Sequence, residues 1–196
     1  LDTCLHVLLH ELQEDGLLDQ TRLILAGLRG FPLGHRGRMG HSEDHVLSDA
    51  TCVPLFVRPA NVQQDVVTAV RSHKLTATSE WLPLASGWLL TDATHHLEAE
   101  LHGQQGSDDR SREFVVLDEK DARAIWTAAW LLVENSDRPQ LFVKPDDRWD
   151  VNPVQDRCRW IAEDLGDALA KICEQLRANE KPAIDLLADE LVFGLE

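Results

Sequence analysis

The residues best suited to chemistry in this sequence lie in a glycine-rich segment between residues 27 and 41. It contains no acidic residue, but it holds three arginines and two histidines: Arg29, His35, Arg36, Arg38 and His41. The whole chain carries a formal net charge of -15, so this segment reverses the prevailing sign. A guanidinium group is always ionised and its planar fork fits tetrahedral oxyanions. We therefore identify Arg29, Arg36, Arg38 and His41 as candidate ligands of a sulfate or phosphate group.

A competing interpretation is that these arginines only pair with surface carboxylates. The chain has 34 acidic residues, so such partners are plentiful. Exposed ion pairs of this kind contribute little to stability and indicate no ligand. The sequence leaves both interpretations open.

Two histidine pairs have the spacing of metal ligands. His6 and His10 lie one turn apart in a predicted helix, and His41 and His45 are also four residues apart. Each pair has a simpler interpretation: a solvent-facing or core-satisfied pair for the first, and a solvated loop for the second, where no helix is evident.

Composition limits the class of protein. A chain of 196 residues with 43% hydrophobic and 27% charged residues is sufficient for one globular domain or two small ones. No apolar run approaches the length of a membrane span. The net charge of -15 disfavours binding to nucleic acids and to anionic membranes, because both require an excess of Lys and Arg.

The first half of the chain predicts a helix followed by two strands. Residues 2–15 place apolar side chains at helical spacing, and Gly16 fits the left-handed position after the helix end. Residues 23–26 are apolar throughout, which is typical of a parallel strand buried on both faces. A second apolar run covers residues 53–57. An uncovered strand edge at residues 23–26 would favour association, so we expect an N-terminal half, a partner chain or a second copy to cover it.

The second half predicts an antiparallel sheet covered by a helix. Strand-like runs cover residues 113–117, 124–133 and 140–143, with turn signals between them. Residues 156–178 carry a continuous apolar stripe at helical spacing. Three tryptophans are predicted to pack between this sheet and this helix: Trp126, Trp130 and Trp160.

Several segments resemble the C-terminal part of sulfatases, in the alkaline-phosphatase-like superfamily. Residues 16–21 (GLLDQT) fit the family pattern G-L-L-D-x-T, and residues 49–51 (DAT) and 53–55 (VPL) fit the block D-E-A-T-R-V-P-L, with Cys52 in place of its arginine. Residues 139–152 (PQLFVKPDDRWDVN) resemble a further sulfatase segment. By this resemblance, His41 occupies a position where many sulfatases place a histidine near the sulfate group.

The resemblance implies an α/β fold. Residues 1–112 would form the C-terminal part of a sulfatase-like α/β core containing part of the alkaline-phosphatase-like sheet. Residues 113–196 would form a small antiparallel sheet with a C-terminal helix.

The sequence departs from the sulfatase pattern at the catalytic positions. Where the family has T-S-D-H-G, residues 26–30 read AGLRG, so the metal-ligand positions hold Leu28 and Arg29. The family binds a divalent cation, usually calcium, and we expect no cofactor in this chain. Sulfatases convert the Cys or Ser of C-x-P-x-R or S-x-P-x-R to their nucleophile. Neither motif occurs, because the run that starts at Cys52 has Phe56 in place of the arginine.

The resemblance therefore implies a sulfatase-like protein of the sulfuric ester hydrolase family, present here as a catalytically incomplete fragment or a degenerate member. Its expected ligand is a sulfated or phosphorylated small molecule. The alternative is a non-catalytic module that binds an oxyanion or a partner protein.

Overall fold

The computed structural model describes residues 2–37, 39–40, 46–58, 60, 71, 75–80, 114–135, 138–180, 182 and 187–194. The chain divides into two compact units. The first unit contains residues 1–28, 54–73 and 79–106, and the second contains residues 29–53, 74–78 and 107–196. Residues 29–41, which we call the basic loop, therefore belong to the second unit, together with the C-terminal sheet. The predicted domain boundary at residue 112 lies outside the described residues and stays a prediction.

The first unit begins with helix α1, Asp2–Glu14, as the apolar spacing predicts. Gly16 has a φ of 66°, the left-handed conformation expected after a helix end. A 3-10 turn at Leu18–Gln20 then leads into the first strand. Arg58 holds this turn, because its guanidinium donates to the carbonyl oxygen of Leu18 at 2.6 Å.

Strands β1, Leu23–Ala26, and β2, Leu55–Arg58, form a two-stranded antiparallel sheet. The prediction that residues 23–26 form a parallel strand buried on both faces is wrong. Ile24 and Leu25 are 41% and 39% exposed, and Phe56 on the paired strand is 63% exposed. Within the described part of the chain, no residues bury these side chains, although the composition of β1 is apolar.

The second unit contains a four-stranded antiparallel sheet in sequential order. Its strands are β3, Phe114–Asp118, β4, Ala122–Thr127, β5, Trp130–Asn135, and β6, Gln140–Val143. The prediction of one strand over residues 124–133 is wrong, because the chain reverses between Thr127 and Trp130. The Trp130 amide donates to Thr127 Oγ1 at 3.0 Å and helps close this turn. The turn contains no glycine, proline or asparagine, so the sequence carries no signal that predicts it.

Both faces of this sheet are covered. Helices α3, Arg159–Arg177, and α4, Asp189–Phe193, cover one face and form the helix-side core with apolar residues that include Ile125, Leu132 and Leu141. On the other face, Val46 and Leu47 form the loop-side core with Ala124, Leu131, Val133 and Phe142. The short helix α2, Ser48–Thr51, follows directly. Because successive strand residues point to opposite faces, this double cover explains why Trp130 to Val133 are all apolar and all buried.

The tryptophan prediction is correct for one residue of three. Trp130 is 4% exposed, belongs to the helix-side core and donates from Nε1 to the Glu190 carbonyl oxygen at 3.0 Å. Trp126 points to the opposite face and packs against the loop-side core. Trp160 is 46% exposed, although it lies on α3. Sequence proximity to an interface does not fix the face that a side chain takes.

No helix among the described residues is long and apolar enough to cross a membrane.

The exposed apolar side chains of the first unit predict self-association of the isolated chain. An edge strand of four uncharged residues templates pairing with another chain, because its backbone groups seek partners. We expect light scattering after size exclusion to show dimers or larger species at micromolar concentration. Leu25→Lys should reduce this association, since charge on an edge strand opposes pairing. A stable monomer of the unaltered chain across that range would contradict the prediction.

Candidate functional site

The basic loop is anchored to α2 through its backbone near Gly30. The Gly30 amide donates to the Ala50 carbonyl oxygen at 2.9 Å. A Cβ atom added at Gly30 would lie 2.1 Å from the Asp49 carbonyl oxygen, which leaves no space for any side chain. Glycine is therefore required here for close approach of two backbone segments. This contact places the backbone next to Arg29 beside the start of α2.

Beyond Gly30 the loop folds back on itself. Leu33 and Met39 form an antiparallel bridge, and the Gly40 amide donates to the Pro32 carbonyl oxygen at 3.0 Å. Within this narrow hairpin, Gly34 and Gly37 have φ values of 104° and 70°. The glycine pattern read from the sequence therefore corresponds to a turn, whose tip carries His35 and Arg36.

The tip of the hairpin contacts the segment that follows β6. The rings of His35 and Trp149 stack with their centres 3.7 Å apart. The Arg148 guanidinium lies 5.0 Å from the centre of the Trp149 ring. Arg36 has its guanidinium carbon 5.9 Å from the centre of the Phe142 ring. Side chains from residues 35–36 and 148–149 therefore form a basic and aromatic surface cluster, which we call the Trp149 cluster.

The predicted site residues are described only in part. Arg29 and Arg36 are both exposed, in the loop between β1 and α2. Arg38 and His41 lie outside the described residues, so their role stays a prediction. Arg148 is not among the predicted site residues, because it lies more than 100 residues from the basic loop and only the fold brings the two segments together.

Asp49 is an acidic residue that interacts electrostatically with Arg36 of the basic loop. Its Oδ1 atom is buried and has no hydrogen-bond partner in the described part of the chain. Burial, followed by repulsion from the Asp150 carboxylate, raises the pKa of Asp49 above its ordinary value of 3.8, although the positive charge of Arg36 acts in the opposite direction. Asp49 is thus a poorly stabilised anion near Arg36, and it competes with any external anion for that charge.

Beneath α2, three buried polar side chains form a closed network, the Ser48–Lys144–Asp150 cluster. Ser48 donates from its amide to Asp150 Oδ2 and from Oγ to Asp150 Oδ1, each at 2.7 Å. Lys144 Nζ donates to Ser48 Oγ at 2.9 Å and to the Asp147 carbonyl oxygen at 2.6 Å, and it forms an ion pair with Asp150. It also lies 4.9 Å from the centre of the Trp126 ring. Each polar group of this buried network is satisfied.

The cluster has the composition of a serine–lysine catalytic pair, but its geometry does not fit that role. Ser48 is 3% exposed, so its hydroxyl is inaccessible to a substrate. Lys144 donates to three acceptors and therefore offers no lone pair to take the serine proton. The cluster instead ties α2 to the turn after β6. Nothing in the sequence spacing indicates that Lys144 and Asp150 are buried.

The two residues that the resemblance to sulfatases would place at metal-ligand positions do not fit a metal ion. Leu28 is 92% exposed and has no donor atom, and the Arg29 guanidinium carries a positive charge and no available lone pair. Among the described residues, no group of three or more His, Cys, Asp or Glu side chains is placed to hold an ion.

Comparison with known proteins finds structural relatives only. No protein-family model matches the chain, and no curated protein matches it. One similar solved structure is BT4656 in complex with its substrate D-glucosamine-2-N,6-O-disulfate, at a TM-score of 0.67 and 16% identity. Another is SpPMH, a phosphonate monoester hydrolase from Silicibacter pomeroyi, at a TM-score of 0.58 and 20% identity. A third, BT33336S-sulf, comes from a Bacteroides thetaiotaomicron locus for glycosaminoglycan metabolism, at a TM-score of 0.56 and 19% identity.

These alignments cover 89%, 91% and 84% of this chain in the same order, but only 38%, 38% and 41% of the solved chains. The chain therefore spans about two fifths of the length of the solved chains that it matches. At these identities the likeness establishes the fold. The predicted fold class is confirmed: the chain has an α/β fold that is consistent with part of a sulfatase fold.

The buried ion pair predicts a large effect of Asp150 on stability. Asp150→Asn removes the charge but keeps a residue that tolerates the left-handed backbone at this position, where φ is 56°. Because Lys144 would stay buried without its counter-ion, we expect the free energy of unfolding in urea to fall by about 3–5 kcal/mol.

The matched control for this variant is Asp118→Asn. Asp118 pairs with Arg177 at 3.0 Å, but both side chains reach solvent. The free energy of unfolding should therefore fall by no more than about 1 kcal/mol. Equal falls in the free energy of unfolding of the two variants would contradict the proposed contribution of the buried cluster to stability.

Asp49 predicts a specific pH dependence of stability. Because the pKa of Asp49 is higher in the folded chain than in the unfolded chain, the folded state holds this proton more tightly. Its contribution to stability is therefore fully present below pH 3.8 and is lost as the pH rises through the folded pKa. Asp49→Asn removes this loss. Unfolding midpoints measured over a pH series should show the variant gaining stability relative to the parent chain as the pH rises. A constant difference at all pH values would contradict this assignment.

Proposed function

We propose that this chain is the C-terminal portion of a sulfatase-like hydrolase fold, catalytically incomplete by itself, and that its basic loop binds a sulfate or phosphate group without a metal ion. The ligand would be a sulfated or phosphorylated small molecule. The residues proposed to bind its sulfate or phosphate group are Arg29, Arg36, Arg38 and His41, and we add Arg148 to this set.

The single observation that carries the proposal is that Leu28 and Arg29 stand in an acid-free segment with several cationic side chains, where the sulfatase pattern that the sequence resembles has its metal ligands. In a sulfatase, a cation holds the oxygen atoms of the ester. An arginine at that position repels a cation and supplies its own positive charge to the same oxygen atoms. In this proposal, Arg29 takes over the charge that a metal ion would supply to the oxygen atoms.

The surroundings of Arg36 support the same proposal. Its guanidinium carbon lies 5.9 Å from the centre of the Phe142 ring, and the neighbouring His35 stacks on Trp149, which restricts the hairpin tip. Restriction lowers the entropy lost when an anion binds, so less of the interaction energy is spent on ordering. Arg148 brings a further positive charge to the same cluster.

The chemistry of the structural neighbours supports the proposed class of the ligand. BT4656 acts on a disulfated glucosamine and SpPMH on phosphonate monoesters. Both classes contain a tetrahedral group with several oxygen atoms, which is the shape that an arginine fork fits. Catalysis by this chain alone is not part of the proposal, because C-x-P-x-R is absent and the Ser48 hydroxyl is buried.

A partner-binding role is the second candidate, and a different observation favours it. Val7 and Leu8 on α1 are each 52% exposed, and no residue of this helix is buried. Large apolar side chains exposed in this way are typical of surfaces that other polypeptides cover. An N-terminal half, a separate chain or a second copy would each meet this requirement. This candidate concerns the first unit and is compatible with oxyanion binding by the second.

Titration calorimetry with sulfate and with a sulfated monosaccharide tests the first proposal. We expect binding by the whole chain in the presence of a chelator, and about tenfold or greater weakening in Arg29→Ala and in Arg36→Ala. Arg159→Ala is the matched control, because Arg159 lies on α3 next to Glu163. Asp49→Asn should strengthen binding, since it removes the competing carboxylate near Arg36.

Three outcomes would contradict the proposal: no binding at millimolar sulfate, binding that requires calcium, or turnover of an aryl sulfate by this chain alone. Unchanged binding in Arg29→Ala alone would remove Arg29 from the set of binding residues but would leave the proposed site at the basic loop. Weakening in Arg159→Ala equal to that in Arg36→Ala would show only a loss of general positive charge, which also contradicts a built site.

A further inference from the structure

Two histidines on α1 form a pair that the oxyanion site does not involve. The rings of His6 and His10 have their centres 6.4 Å apart, and their planes differ by only 10°. Both residues are exposed. Residues four apart in a helix lie on the same face one turn above the other, so the two imidazoles point from α1 in the same direction.

The structure excludes one of the interpretations that the sequence left open for this pair. A core-satisfied pair would be buried and hydrogen-bonded inside the protein, whereas α1 has no buried residue. The pair is therefore solvent-facing, and its ring nitrogens are accessible to a ligand from solution.

We propose that His6 and His10 together bind a divalent transition-metal ion of the copper, nickel and zinc group. Neutral imidazole is a preferred ligand of these ions, and helices that bind zinc through histidines four residues apart use the same spacing. Ions such as calcium and magnesium prefer oxygen ligands, so they should not bind here. The pair lies outside the sequence segments that resemble sulfatases, which begin at residue 16.

The distance between the rings is compatible with chelation after a small movement. Metal–nitrogen bonds of about 2.0–2.1 Å at a tetrahedral angle place the centres of two imidazole rings about 5 Å apart. The rings must therefore approach each other by roughly 1 Å, which rotation of two exposed side chains can supply. The helix backbone does not need to change, so the spacing of the site is preformed.

The coordination that this pair offers is incomplete. Among the described residues no third His, Cys, Asp or Glu side chain joins a group with it that could enclose an ion. Solvent would fill the remaining positions. Such a site exchanges its metal readily, and by the usual order of affinities it should hold Cu²⁺ more tightly than Zn²⁺.

Metal titration of the whole chain, after treatment with a chelator, tests the proposal with Cu²⁺, Zn²⁺ and Ca²⁺ as separate probes. In separate titrations, we expect one Cu²⁺ ion or one Zn²⁺ ion to bind at the pair. Addition of Zn²⁺ should shift the NMR resonances of the His6 and His10 rings. His6→Ala and His10→Ala should each weaken binding by at least tenfold. Ca²⁺ should cause neither heat nor resonance shifts at these residues.

Two controls make the test specific to the spacing. His35→Ala removes a histidine that stacks on Trp149 and should leave this binding unchanged. The double variant His10→Ala/Glu11→His keeps the number of histidines but places them five residues apart, so it should not restore binding. His10 and Glu11 are exposed positions of α1, and circular dichroism verifies that the helix persists in the double variant.

Binding that survives in His6→Ala/His10→Ala would overturn the proposal, because other histidines would then hold the ion. Restoration by the five-residue spacing would also overturn it, since chelation on one helix face would not be required. Absence of binding at millimolar Cu²⁺ would show that the pair is only solvent-facing.

Discussion

The buried ion pair between Lys144 and Asp150 is the constraint on which the second unit depends. Two opposite charges, both almost fully buried, are tolerated only when their remaining hydrogen-bonding capacity is satisfied. Ser48 meets this requirement with both its amide and its hydroxyl. Ser48 begins α2 and Lys144 follows β6. The hydrogen bonds that satisfy the buried charges therefore hold the segment around Ser48 against the loop-side face of the sheet.

This fixed segment in turn positions the basic loop. Gly30 approaches the backbone of Asp49 and Ala50 so closely that only glycine fits, and the hairpin tip then meets Trp149. Arg36 is therefore presented on a surface supported by the sheet. The two units differ in this respect: the four-stranded sheet has a core of buried apolar residues on each face, whereas Phe56 in the two-stranded sheet is 63% exposed.

Local patterns predicted the elements whose form depends on neighbouring residues in the chain. Helix α1 ends near Gly16, and the long helix α3 follows its apolar stripe, because helical spacing places one face against a surface wherever that surface lies. The position of the basic loop between β1 and β2 was also predicted, since glycine and proline exclude regular structure. Arg29 and Arg36 were found as candidates because their charge opposes that of the whole chain.

Only the tertiary structure decided which faces these elements present and which distant residues meet. The apolar composition of residues 23–26 predicted a buried strand, but burial depends on the neighbours that a strand receives, and the described residues supply only β2. Trp126 and Trp130 lie on opposite faces because a turn without a sequence signal separates them. The contact of His35 with Trp149 and the burial of Lys144 join segments about 100 residues apart. Composition and spacing determine local conformation, whereas such contacts depend on long-range packing and on the pairing of buried charges.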